Sequence, residues 1–189
     1  SGIIRRMKRG AQEKVECAVA TIQRVVHDRA RGLVALMADK KFEYLAVARA
    51  LASQAGELVR AASRTRLSGG AVKSSSVDLV TEYDHKSEEI IISGIRAKYP
   101  DHGIISEESH PDAKMSKVTW IIDPIDGTTN FIAGLPEVAV CIGVAVDGVV
   151  QAGVVYNPIR NETFHAVRGH GAYLDDQPIH VNKDVTIPQ

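Results

Sequence analysis

The residues whose types and spacing can do chemistry lie in one stretch, Trp120-Ile121-Ile122-Asp123-Pro124-Ile125-Asp126-Gly127-Thr128-Thr129-Asn130-Phe131. An apolar run, Val118 to Ile122, predicts a buried strand that stops at Asp123. Pro124 predicts a turn, and Asp126 follows three residues after Asp123. Two carboxylates around such a turn can hold hard divalent cations through oxygen. Gly127 frees the backbone, and Thr128-Thr129-Asn130 bring hydroxyls and N–H groups to a predicted helix start, a setting that suits phosphate. Metal and phosphate positions in one loop make a site for phosphoryl transfer to water. A lone Asp here would read as a helix cap. Two at this spacing, with Gly and Thr behind them and a second acidic pair upstream, favour the cation.

That upstream pair is Glu107-Glu108, followed by Ser109. Neighbouring side chains on an extended chain alternate, so one glutamate faces the site and the other is solvated or supporting. Asp84 ends the segment Asp78-Leu79-Val80-Thr81-Glu82-Tyr83-Asp84, placed to cap the helix that follows.

The elements that must position these groups read as helices first and strands after. Residues 3–38 carry one apolar stripe, Ile4, Met7, Ala11, Val15, Val19, Ile22 and Val26, with Gly32 interrupting it. Residues 42–64 form a second helix with Leu45, Ala48, Ala52, Ala55, Leu58, Val59 and Ala62 on one face, ended by Ser68-Gly69-Gly70. Residues 73–84 read as a polar loop, and a third helix runs from about His85 to Lys98, stopped at Tyr99-Pro100-Asp101. Gly103 to Ser106 is a short strand, and 110–117 is a polar loop. Val138 to Val146 and Val149 to Tyr156 are strands joined at Asp147-Gly148, a hairpin signal. Further strands are predicted at Glu162 to Val167 and between Ala172 and Val181. This order argues an α+β fold with helices packed on an antiparallel sheet.

Composition narrows the classes. Hydrophobic residues make up 44% of the 189, enough for a globular core. No apolar run approaches the roughly 20 residues of a membrane span, and no secretory signal pattern follows Arg5, Arg6, Lys8 and Arg9, so a cytoplasmic protein without a membrane partner is expected. Cys17 and Cys141 are isolated and read as buried or idle thiols. The charges sum to zero but separate. Residues 1–72 hold 14 Lys and Arg against 6 Asp and Glu, and the remainder holds 9 against 17. The basic arm lacks interleaved aromatics and shares its helix with apolar residues, which argues against nucleic acid.

The blocks Val77-Asp78-Leu79-Val80-Thr81 to Asp84, Ile105-Ser106-Glu107-Glu108-Ser109 and Trp120 to Phe131 resemble, in order and spacing, the N-terminal signature blocks of the inositol monophosphatase family. The similarity runs from about Phe42 to Lys183 and includes Gly153-Val154-Val155-Tyr156 and Gly169-His170-Gly171-Ala172. The resemblance implies the first half of a layered αβαβα sugar-phosphatase fold and a Mg²⁺ cofactor. Glu107 and Asp123 would bind one ion with help from the Ile125 carbonyl, and Asp123 and Asp126 a second. Thr128, oriented by Asp84, would activate the attacking water, which makes Thr128, Asp84 and Glu107 the catalytic set. The N–H groups of Gly127 and Thr128 would hold phosphate, and Lys73 matches a lysine of the family's mobile loop. The ending Gly127-Thr128-Thr129-Asn130-Phe131 points to inositol monophosphate as substrate, and a homodimer is the implied assembly.

Residues 1–41, a basic amphipathic helical extension, have no counterpart in the family's usual start. Glu137 stands where the family carries an apolar or aromatic residue. Residues 42–189 read as the metal- and phosphate-binding domain, truncated before a second domain whose Trp-Asp motif would add a carboxylate, since the sole tryptophan, Trp120, precedes Ile121. The alternative expectation is an impaired homologue that serves as a metal- or partner-binding module.

Overall fold

In the computed structural model, residues 40–64, 76–109 and 116–182 are described. The predicted N-terminal extension, the Ser68-Gly69-Gly70 break and Lys73 lie outside them. Helix α1 covers 40–64, and α2 is Ser76–Lys98. Strands β1 (Gly103–Ser106) and β2 (Val118–Asp126) precede a short helix α3 (Thr128–Ala133). Then come β3 (Ala139–Val146), β4 (Val149–Asn157), β5 (Glu162–Val167), β6 (Ala172–Leu174) and β7 (Gln177–Ile179).

The seven strands form one sheet in sequence order. The expected antiparallel sheet is in fact mixed, because β1 and β2 run parallel and every later pair is antiparallel. Parallel neighbours cannot be joined by a tight hairpin, and Ser106 and Val118, where β1 ends and β2 begins, are well separated in the sequence. The β3–β4 turn does follow its signal: Asp147 and Gly148 both take left-handed backbone angles, φ 50° and 76°.

The core lies between the two long helices and one sheet face. Ala48, Ala52, Ala55 and Val59 of α1 meet Ile91 and Ile95 of α2, Trp120 and Ile122 of β2, and Val140 and Ile142 of β3. Of the predicted α1 face, Leu58 is half-buried and the other six residues are buried, as are Tyr44 and Leu51. Trp120 is fully buried and donates its indole N–H to His102 Nδ1 at 3.0 Å, so that buried donor is satisfied. A side chain at Gly94 would run into Leu51, so the missing Cβ lets α2 approach α1 closely.

Two further expectations are corrected. The third helix starts at Ser76, not near His85, so 76–84 is helical. No Gly or Pro lies between Ser76 and Asp84, and a helix extends readily once a packed turn exists. Strand β2 does not stop at Asp123 but continues through Pro124 to Asp126.

Candidate active site

Pro124 makes a bulge in β2, not a turn. Asp123 lies opposite Cys141, and Asp126 opposite Ala139, so three steps on β2 span two steps on β3. On a regular strand, residues three apart face opposite sides. The one extra residue returns Asp123 and Asp126 to the same side. Proline suits this position because it has no ladder N–H to give. The buried Pro124 carbonyl accepts from the Ser87 hydroxyl at 2.9 Å, which ties the bulge to α2.

The shared orientation shows in the electrostatics of Cys141. Burial pushes its thiol up to about 12, and the charges of Asp126 and Asp123 add to the effect. The thiol lies 3.9 Å from Asp126 Oδ2. This residue, read from sequence as a buried or idle thiol, sits against the carboxylates.

Glu107 reaches the same place from β1. The parallel register sets Ser106 beside Ile122, and Glu107 N–H donates to the Ile122 carbonyl at 3.1 Å. Asp123 is consequently raised to about 7 by burial, by the charges of Glu107 and Asp126, and by a hydrogen bond with Glu107. The following Ser109 N–H donates to Glu88 Oε1 of α2 at 3.1 Å. Of the acidic pair, Glu107 joins Asp123 in lining the cavity described below.

Asp84 does not cap a helix. It lies inside α2, is 3% exposed, and is raised to about 7 by burial first and then by the charges of Glu108 and Glu107. Gly127 takes φ 88° at the start of α3, and a Cβ there would stand 2.6 Å from the Glu137 carbonyl oxygen. Asn130 Nδ2 donates to that same carbonyl at 2.8 Å, and Phe131 packs edge-on against Tyr83 of α2 at 6.0 Å. The Thr128 hydroxyl donates to the Ile125 carbonyl at 3.1 Å. Glu137 pairs with Arg160 on the surface, which accounts for a charge at that position.

Glu107, Asp123 and Cys141 line one part of an open cavity of about 620 Å³ on the sheet face turned away from the core. Among the described residues no group of three or more His, Cys, Asp or Glu side chains is arranged to hold a metal ion. Asp123 is hydrogen-bonded with Glu107 and feels the charge of Asp126, so it is the carboxylate common to both interactions. All donors are hard oxygens, and burial first, then the charges of Glu107 and Asp126, hold Asp123 well above its ordinary range. A divalent cation is the charge that would relieve this crowding, so the donor set fits one. No helix among the described residues is long and apolar enough to cross a membrane.

The profile of the inositol monophosphatase family matches residues 40–189. Inositol monophosphatase 1 of Sus scrofa is 46% identical over 156 residues, 79% of this chain and 56% of that protein. The Nus factor SuhB of Pasteurella multocida (strain Pm70) is 54% identical over 108 residues, 57% of this chain and 40% of that protein. The structure of inositol monophosphate-bound SaIMPase-II superimposes with a TM-score of 0.60 at 30% identity, over 74% of this chain and 50% of that one. The chain spans about half the length of the curated relatives it matches. With the profile matched through all of the described residues, the chain belongs to the inositol monophosphatase family.

Proposed function

We propose that the protein takes part in magnesium-dependent hydrolysis of a small phosphate monoester, with inositol monophosphate as the substrate. The observation that carries this reading is the pairing of Asp123 with Glu107 on one side and Asp126 on the other. Two pairs sharing one carboxylate suit two ions, each keeping water in its remaining positions, as magnesium prefers. Glu107, Asp123 and the Ile125 carbonyl would hold one, and Asp123 with Asp126 the other. Magnesium bound there supplies a water of lowered pKa and offsets charge on the phosphoryl oxygens. The Thr128 hydroxyl and the buried Asp84 would orient the attacking water. The N–H groups of Gly127 and Thr128 would hold the phosphate, with Gly127 keeping that backbone open. The ligand of SaIMPase-II supports the choice of substrate.

Phosphate release from inositol monophosphate tests the reading, using this chain and a version extended by the part that its relatives have in addition. The extended protein is expected to turn over only with Mg²⁺ and to lose activity on Asp123→Asn or Thr128→Ala. The 189-residue chain alone is expected to have little or no turnover, because metal and water must sit within fractions of an ångström of their working positions. An extended protein inactive on small phosphate monoesters despite bound metal would favour a non-catalytic binding module.

A further inference from the structure

We propose that Ser87 and Glu88 are positioning residues: together they set the distance between the Glu107 segment and the Asp123–Asp126 bulge, and with it the affinity of the site for a divalent cation. The inference rests on the cation reading of the carboxylate pairs. Asp84, Ser87 and Glu88 stand at helical steps of three and four, so they share one face of α2. The stripe continues as Ile91 and Ile95, both fully buried in the core. One end of the stripe is therefore anchored in apolar packing, and the other meets the site with polar groups. Ser87 is 0% exposed and Glu88 4%.

Each residue holds a different carboxylate segment. Ser87 Oγ donates to the Pro124 carbonyl between Asp123 and Asp126, where the ladder register shifts. That buried acceptor would otherwise lack its regular cross-strand bond. Glu88 Oε1 accepts from Ser109 N–H, just beyond Glu107. The Glu107 backbone is thus held on both sides, by the Ile122 carbonyl of β2 and by α2. The separation between Glu107 and Asp123 is fixed through adjacent residues of a single helical turn. Groups that orient metal ligands from behind typically change affinity about 10- to 100-fold when removed.

Calorimetric titration of Mn²⁺ into the 189-residue chain tests this, with the Mn²⁺ electron paramagnetic resonance line shape as a second readout. Ser87→Ala and Glu88→Ala are each expected to weaken binding by about tenfold or more. Glu88→Gln, whose amide oxygen still accepts from Ser109 N–H, is expected to stay within about twofold of the wild type with an unchanged line shape, since an uncharged acceptor satisfies the same donor. Thermal unfolding in chelator reports whether each variant is folded. Should Glu88→Ala not fold, Ser109→Pro deletes the donor of the same bond from an exposed loop and is expected to weaken Mn²⁺ equally. Folded Ala variants with wild-type affinity and line shape would overturn the inference, as would a Gln variant as weak as the Ala variant. A wild-type chain that binds no Mn²⁺ would overturn the cation reading itself and this inference with it.

Discussion

Asp123 stands opposite Cys141 while Asp126 stands opposite Ala139, and this one-residue mismatch turns two carboxylates of a single strand toward one point. The same bulge hands strand β2 over to Gly127, whose left-handed φ of 88° starts α3.

Gly127 is accordingly intolerant of a side chain. Gly127→Ala adds a Cβ 2.6 Å from the Glu137 carbonyl and puts alanine in a left-handed conformation. A loss of about 1–3 kcal/mol in unfolding free energy is expected, measured by urea denaturation. A change within error of zero would mean that the turn relaxes without strain.

Asp84 and Asp123 make the metal-free protein less stable as pH rises. Both are raised to about 7, from an ordinary value near 4. Between those values the folded state binds more protons than the unfolded state. Stability is thus fully present below about pH 4 as far as these groups are concerned, and is lost as pH climbs through about 7. In chelator, the melting temperature is expected to fall from pH 5 to pH 8, and Asp84→Asn should flatten that slope. A melting temperature that rises over the same interval would contradict the assignment.

Cys141 is expected to be a slow nucleophile. With its thiol pushed up to about 12, the thiolate is scarce at neutral pH. Iodoacetamide labelling of Cys141 at pH 7.5, followed by peptide mass spectrometry, should be on the order of a thousandfold slower than in the urea-unfolded chain. Comparable rates in the two states would show that burial and the carboxylate charges do not hold the thiol up.

The sheet face carrying the cavity exposes Ile121, Val155, Phe164 and Ile179. Apolar patches beyond a few hundred Å² promote association. The 189-residue chain is expected to self-associate and to bind a hydrophobic dye, and Phe164→Glu should reduce both. A monodisperse monomer by light scattering at high concentration, with no dye binding, would refute this.

Much of this was legible in the sequence, because local rules and tertiary structure agree there. The α1 face follows its three-four spacing, and the Val-rich hairpin follows Asp147-Gly148. The bulge was not legible, since Pro after Asp reads as a turn and only pairing with β3 and the bond from Ser87 keep the strand going. The helical state of 76–84 was hidden by its polar composition. Had that helix been continued back from His85, Asp84, Ser87 and Glu88 would have fallen on one face. Cys141 and Glu88 carry no motif, and their place beside the carboxylate segments comes from strand register and chain packing alone.

Calorimetric titration of Mg²⁺ into the wild-type chain and into Asp123→Asn tests whether Glu107, Asp123 and Asp126 hold a divalent cation. Asp123 belongs to both carboxylate pairs, so its neutral replacement weakens both at once. Saturable heat is expected for the wild type and none above dilution for Asp123→Asn, with both proteins folded by circular dichroism. Equal heats from the two proteins would contradict this expectation.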